Sequence, residues 1–220
     1  MRTYDITITG KMPLIMHADN IEWADEMERW KNDPTSKKKS KAGDDRSPAF
    51  RWLGALYHDD KEIAIPSDNL MRCFMEGGAM VPVPGGKSGK TFKSQTQSGM
   101  LVEGTHWPLL VSGKPIPVAK VLALKTESDF GVHRETVEQL GFSLFLKRAK
   151  IGQNKHVRVR PRFEEWSGRG RLLVWDDQIT TDALSQIMEQ AGLYKGIGDW
   201  RPGGKTPGPF GTFTAKVQAA

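Results

Sequence analysis

Residues 196–213 read GIGDWRPGGKTPGPFGTF, a composition that no regular element survives. Six glycines (196, 198, 203, 204, 208 and 211) and three prolines (202, 207 and 209) fall within these 18 positions. Glycine admits positive φ and close backbone approach, while proline removes a donor and fixes φ, so helix and ladder both break here. A helical pattern leads in over 181–191, with Leu184, Ile187, Met188 and Ala191 inward, Thr181 as cap and Gly192 as stop. An alternating strand leads out over 210–217. The fold must therefore join a helix to a strand through this loop. Exposed amides in such loops form concave anion sites. Arg201 and Lys205 add charge, and Trp200 offers a flat face for a base. Taken alone, a loop of this kind is more often a surface connector.

Charge carries the argument further. The chain of 220 residues has a formal charge of +6, and from Gly141 onward 13 Lys/Arg face 7 Asp/Glu, so the whole excess lies there. Seven Lys/Arg and no acid lie between Lys147 and Arg162. Period-two alternation puts Val157, Val159 and Phe163 on one face and His156, Arg158, Arg160 and Arg162 on the other. Cations gathered on one face repel one another, which points to an anion as their partner. The alternative is a solvated strand face. The residues expected to meet a polyanion are Lys147, Arg148, Lys150, Lys155, His156, Arg158, Arg160, Arg162 and Arg169, the last on a partner strand running to Trp175.

The first 140 residues supply the rest of a core. Tyr4, Ile6 and Ile8 alternate with polar neighbours as a half-buried strand. Asp19 and Glu22 have capping-box spacing before the stripe of Trp23, Met27 and Trp30. Residues 33–48, with Lys37, Lys38, Lys39 and Lys41, read as a flexible basic insert. Ser67 is the expected cap of a helix over 67–76, with Leu70, Met71, Phe74 and Met75 inward. A second insert, 82–140, holds a basic flap (Lys87, Lys90, Lys93), a hairpin around Ser112-Gly113 and a helix over 132–140. Its GKS and GKT tripeptides lack the glycine five positions upstream that a phosphate loop requires, which excludes nucleotide hydrolysis by that motif. No cofactor motif occurs. A single cysteine, the absence of an 18-residue apolar run, and an alternating N-terminus together give the expectation of a cytoplasmic protein with no membrane partner.

Without its inserts the order is strand (3–9), helix (67–76), strand (156–163), strand (169–175), helix (181–191), strand (210–217). The expected fold is α+β: one ferredoxin-like or RRM-like βαββαβ domain over 1–220, with an antiparallel sheet. A core of this order, with a glycine-rich loop after its second helix and Ile65-Pro66-Ser67-Asp68-Asn69-Leu70 opening its first, resembles the RAMP superfamily of CRISPR-associated proteins. The two inserts resemble those of the backbone (palm, finger and thumb) subunit of CRISPR effector complexes; stand-alone, phage and mobile-element relatives would share the pattern. The loop here is longer than the family's, and Pro207 and Pro209 interrupt it.

The resemblance implies binding of single-stranded RNA by homo-oligomers stacked along the strand as a filament, with other effector subunits as further partners. Gly196, Gly198, Gly204, Gly208 and Gly211, with Arg201 and Lys205, are the matching positions. Whether the strand is RNA or DNA stays open. Some RAMP relatives are metal-independent endoribonucleases, for which His17 is the weak catalytic candidate; Asp19 or Asp25 holding a metal ion is a further alternative. The leading expectation is sequence-tolerant binding without catalysis, cofactor or metal. A basic assembly protein for an acidic protein partner is the third reading.

Overall fold

The computed structural model describes residues 1–37, 43–86, 89–151 and 154–220. In chain order the strands are β1 (Arg2–Gly10), β2 (Leu14–Ile15), β3 (Ala64–Pro66), β4 (Met100–Val102), β5 (His106–Val111), β6 (Lys114–Pro115), β7 (Ser143–Ile151), β8 (Asn154–Phe163), β9 (Ser167–Val174) and β10 (Phe213–Ala219). The α-helices are α1 (Ile21–Asn32), α2 (Pro34–Lys37), α3 (Ser67–Gly78), α4 (Lys93–Ser98), α5 (Val118–Leu122), α6 (Phe130–Gln139) and α7 (Thr181–Gln190). These elements fall into two compact units. The first is Met1–Leu14, Ala64–Pro115 and Glu165–Ala220; the second is Ile15–Ile63 and Ile116–Glu164.

The first unit is built on a sheet of order β10-β1-β9-β5-β3, with β4 also on β9 and β6 on β5. Every pairing given for it is antiparallel. Taking β1, α3, β5, β9, α7 and β10 in turn gives βαββαβ, with strands in the order fourth, first, third, second. That is the ferredoxin-like arrangement. The inner face is the alternation read from sequence: Tyr4, Ile6 and Ile8 are buried, with Leu172, Val174 and Phe213 beside them. Helices α3 and α7 pack through Leu70, Phe74, Leu184, Ile187 and Met188, all at or below 1% exposure. The Tyr4 hydroxyl lies 3.2 Å from Thr181 Oγ1, which places α7 on this face.

Two glycines on the inner face have indoles where side chains would stand. An ideal Cβ at Gly170 would lie 2.2 Å from Trp107 Nε1, and one at Gly10 would lie 2.3 Å from Trp166 Nε1.

The strand expected at 156–163 is not in this sheet. Its place belongs to β5, expected within the second insert as half of a hairpin. The tight turn at Ser112 (φ 50°) and Gly113 (φ 75°) is present, but β6 is only two residues long and α5 follows it. The described part of the basic flap is also ordered: Phe92 (1% exposed) and Thr96 (0%) pin α4 into the first unit. Caps shift by one residue. Asn20, not Asp19, accepts from Trp23 N, and Thr180, not Thr181, accepts from Ala183 N. Ser67 is already helical and donates its hydroxyl to Gly104 O at 2.7 Å.

In the second unit β8 lies between β7 and β2. Trp52, Phe142 and Phe163 form its aromatic centre, with Phe142 and Phe163 stacked at 4.8 Å. His133 is fully buried there. Trp52 Nε1–H donates to its Nδ1 at 3.0 Å, so the other nitrogen, 3.1 Å from Glu127 O, carries the proton. The expected stripe on α1 is only half-buried, and no residue of that helix is fully buried.

Candidate nucleic-acid interface

The β7–β8 hairpin owes its register to alternation on both strands. Lys147 pairs with Arg158, Phe145 with Arg160 and Ser143 with Arg162, so these six residues share one face. Val159 and Phe163 are buried on the other, as the sequence pattern requires. Arg162 donates to Ser143 Oγ at 3.2 Å, stands over the Phe145 ring at 5.3 Å and pairs with Glu164.

The returning end of the first insert answers the cation repulsion. Val157 N donates to Gly43 O and Asp45 N donates to Val157 O, so residues 43–45 run beside β8 through a parallel bridge. This delivers Asp45, only 4% exposed, beneath the arginines. Its carboxylate lies 3.2 Å from Arg51 Nη1, 3.6 Å from Arg158 Nη1 and 3.7 Å from Arg160 Nη1. With the exposed Asp19 at the rim, three guanidinium groups meet two carboxylates, and the cluster keeps a positive excess. The arginines line an open cleft of about 310 Å³ together with His17 and Trp23. His17 Nε2 is 3.2 Å from Arg160 Nη2. A guanidinium can only donate, so that imidazole nitrogen accepts.

Side-chain exposure falls from about a third at Arg51 and Arg158 to 13% at Arg160. The cluster is thus a half-buried array whose geometry the fold fixes before any ligand arrives. Interactions there are screened less than at an open surface. Neither Asp45 nor Arg51 was legible as a site residue. Asp45 sits in a polar run read as a mobile insert, and no periodic signal ties it to β8.

The other expected site residues lie elsewhere. Lys147 and Arg148 are exposed and His156 is half-exposed. The side chains of Lys150 and Lys155 lie outside the described residues, as do Lys38, Lys39, Lys41 and Lys87 and the side chain of Lys37. Lys90 is exposed ahead of α4, Lys93 is exposed as its first residue, and Arg169 is exposed on β9.

In the glycine-rich loop most amides already serve the fold. Gly196 N donates to Ala191 O, Ile197 N to Gly211 O, and Gly203 N to Lys195 O; Gly204 N and Gly208 N donate to Arg201 O, and Gly211 N to Pro13 O. Gly196, Gly198 and Gly211 have positive φ, and a Cβ at Gly211 would lie 1.8 Å from Ile197 O. These glycines therefore let two backbone segments touch. Arg201 turns inward to Glu76 (2.9 Å) and Lys195 O (3.2 Å), with its side chain 15% exposed. Burial pulls the Glu76 carboxyl upward, but hydrogen bonds and charge from Arg201 and Arg72 outweigh it and hold the group below the usual glutamate value. Trp200 packs near Phe210, and Lys205 stands exposed at the tip.

Strand order and site together define an α+β protein with a ferredoxin-like unit and, in its second unit, a preformed arginine cleft. Among solved structures, the chain is similar to one from the cryo-EM structure of the Type III-B Cmr-beta bound to cognate target RNA and AMPPnP, state 1. Identity is 10% and the TM-score 0.34, over 98% of this chain and 62% of that one. The chain thus spans under two thirds of that neighbour's length, and the fold assignment rests on strand order rather than on this likeness. No family model matches the chain. No curated protein matches it either. No helix among the described residues is long and apolar enough to cross a membrane.

Proposed function

We propose that this protein binds single-stranded nucleic acid by its sugar-phosphate backbone, tolerant of sequence and without catalysis. One observation carries the reading: Arg51, Arg158 and Arg160 are held in an open cleft over one buried carboxylate, with positive charge in excess. Arginine suits phosphate because its planar fork matches two oxygens at once. The exposed Lys147 and Arg148 on the same hairpin extend the charge toward its tip. Nothing in the cleft resembles an enclosed pocket for a base, which suits backbone binding over sequence readout.

Membership of the RAMP superfamily, stacking of copies along the strand and a place in an effector complex fit the βαββαβ order and the glycine-rich loop, and belong to the same proposal. The test is binding of a labelled oligonucleotide at low salt by the wild-type protein and by Arg158→Glu/Arg160→Glu. The double variant should bind at least tenfold more weakly, and unchanged affinity would remove the cleft from the interface.

Cleavage of RNA is the second reading, favoured by one fact: His17 stands in the same cleft. Its Nε2 is engaged by Arg160, so proton abstraction there requires that contact to break. Labelled RNA incubated in chelator decides the matter. Discrete products that disappear in His17→Ala would replace binding with hydrolysis as the function.

A further inference from the structure

We propose that the open face of the sheet in the first unit is a second contact surface for single-stranded nucleic acid, with Trp175 as its base-stacking group. The proposal rests on the single-strand-binding reading above.

The helices cover only the Tyr4-Ile6-Ile8 face of this sheet. Opposite them the register aligns Lys216, Thr7 and Arg169 across three strands, and Gln218, Asp5 and Arg171 in the next row. Further along, Leu173 pairs with Thr3 on one side and Leu101 on the other. Trp175 follows Leu173 by two positions, its amide bonded to Gly99 O, and its indole N–H donates to Ser98 O at 2.6 Å. Leu101 is 49% exposed and Trp175 46%. From Arg169 to Trp175 the strand direction covers about 20 Å.

One end of this face is cationic and the other apolar and aromatic. Its two acids both flank Arg171: Asp5 as register partner and Glu103 as an ion pair at 2.8 Å. Arg169 and Lys216 form no ion pair among the described residues. The indole is held by a hydrogen bond while its ring stays open to solvent, so ordering it costs a ligand little. A ligand with anionic groups and flat rings along one thread satisfies both ends, which is the chemistry of an unpaired strand. An acidic protein would satisfy only the cations.

The test compares a labelled uridine oligomer with an abasic strand of equal length, by fluorescence anisotropy over a salt series. Trp175→Ala should weaken binding of the base-bearing strand about 5- to 100-fold and leave the abasic strand unaffected. Its salt slope should match the wild type's. Trp175→Phe, which keeps a ring, should recover most of the loss, and this separates stacking from misfolding. Arg169→Gln/Lys216→Gln should instead flatten the slope by about 1.4.

Equal affinity of Trp175→Ala and wild type for the uridine strand, or an equal loss on both strands, overturns the proposal and leaves the face to a protein partner. If Arg158→Glu/Arg160→Glu still weakens binding in that case, the parent reading stands and only this one falls. If the wild type binds neither strand at low salt, both fall.

Discussion

Asp45 is the residue on which the cleft depends. It offsets one of three clustered cations and is itself nearly out of solvent. Asp45→Asn should lower the unfolding free energy by about 1–3 kcal/mol, between the values for exposed and for buried ion pairs. Its affinity for an oligonucleotide at low salt should not fall, because net charge rises by one. Urea unfolding and anisotropy on one preparation check both halves, and a loss of affinity as large as in Arg158→Glu/Arg160→Glu would contradict the second. Glu76 makes a different prediction. Its carboxyl is held below the ordinary value in the folded state, so its contribution is complete above the unfolded glutamate pKa and is lost as pH falls through the lower, folded one. Thermal stability should therefore drop in the acid range, and should drop less steeply in Glu76→Gln. Melting temperatures measured from neutral to acid pH test this. The basic residues of β8 were legible in sequence because alternation sorts side chains by face. The carboxylate beneath them was not, since pairing distant segments is a property of the folded chain.

Among the elements, the glycine-rich loop was correctly placed between helix and strand, while the role expected of it was an open anion cradle. Its amides donate to backbone carbonyls within the loop and beside it, and its arginine grips α3 through Glu76. Gly211→Ala should cost about 2–4 kcal/mol, because the backbone there is left-handed and Ile197 O stands where the methyl would go. Gly204→Ala, with negative φ and no neighbour closer than 3.1 Å, should cost less than half as much. Equal costs, measured by chemical denaturation, would mean that contact between the two segments does not hold the loop. The strand exchange between β5 and β8 has a local cause. Pro108 stands within β5, and because proline cannot donate to a ladder such a segment does not read as a core strand. The arginine strand showed cleaner alternation, and alternation says that a strand is half-buried without saying against which sheet.

For the whole molecule, the positive excess read from residue 141 onward lies in the second unit: residues 141–164 carry seven Lys/Arg against one acid, while residues 165–220 of the first carry six against six. If about six phosphates are neutralised, log affinity should fall with log salt at a slope near −4 for a single strand. A slope shallower than about −1 in a titration series would mean that charge is not what holds the strand. The division into two units was not legible, because neither unit is continuous in sequence. One feature of the first unit constrains its sheet further. With Trp107 against Gly170 and Trp166 against Gly10, each indole fills a notch only a hydrogen atom deep. Sliding β9 by one position would drive the side chain of Arg169 or Arg171 into Trp107, so mispaired versions of this sheet are blocked by collision before solvation enters. The two tryptophans act as keys that fit one alignment of the strands.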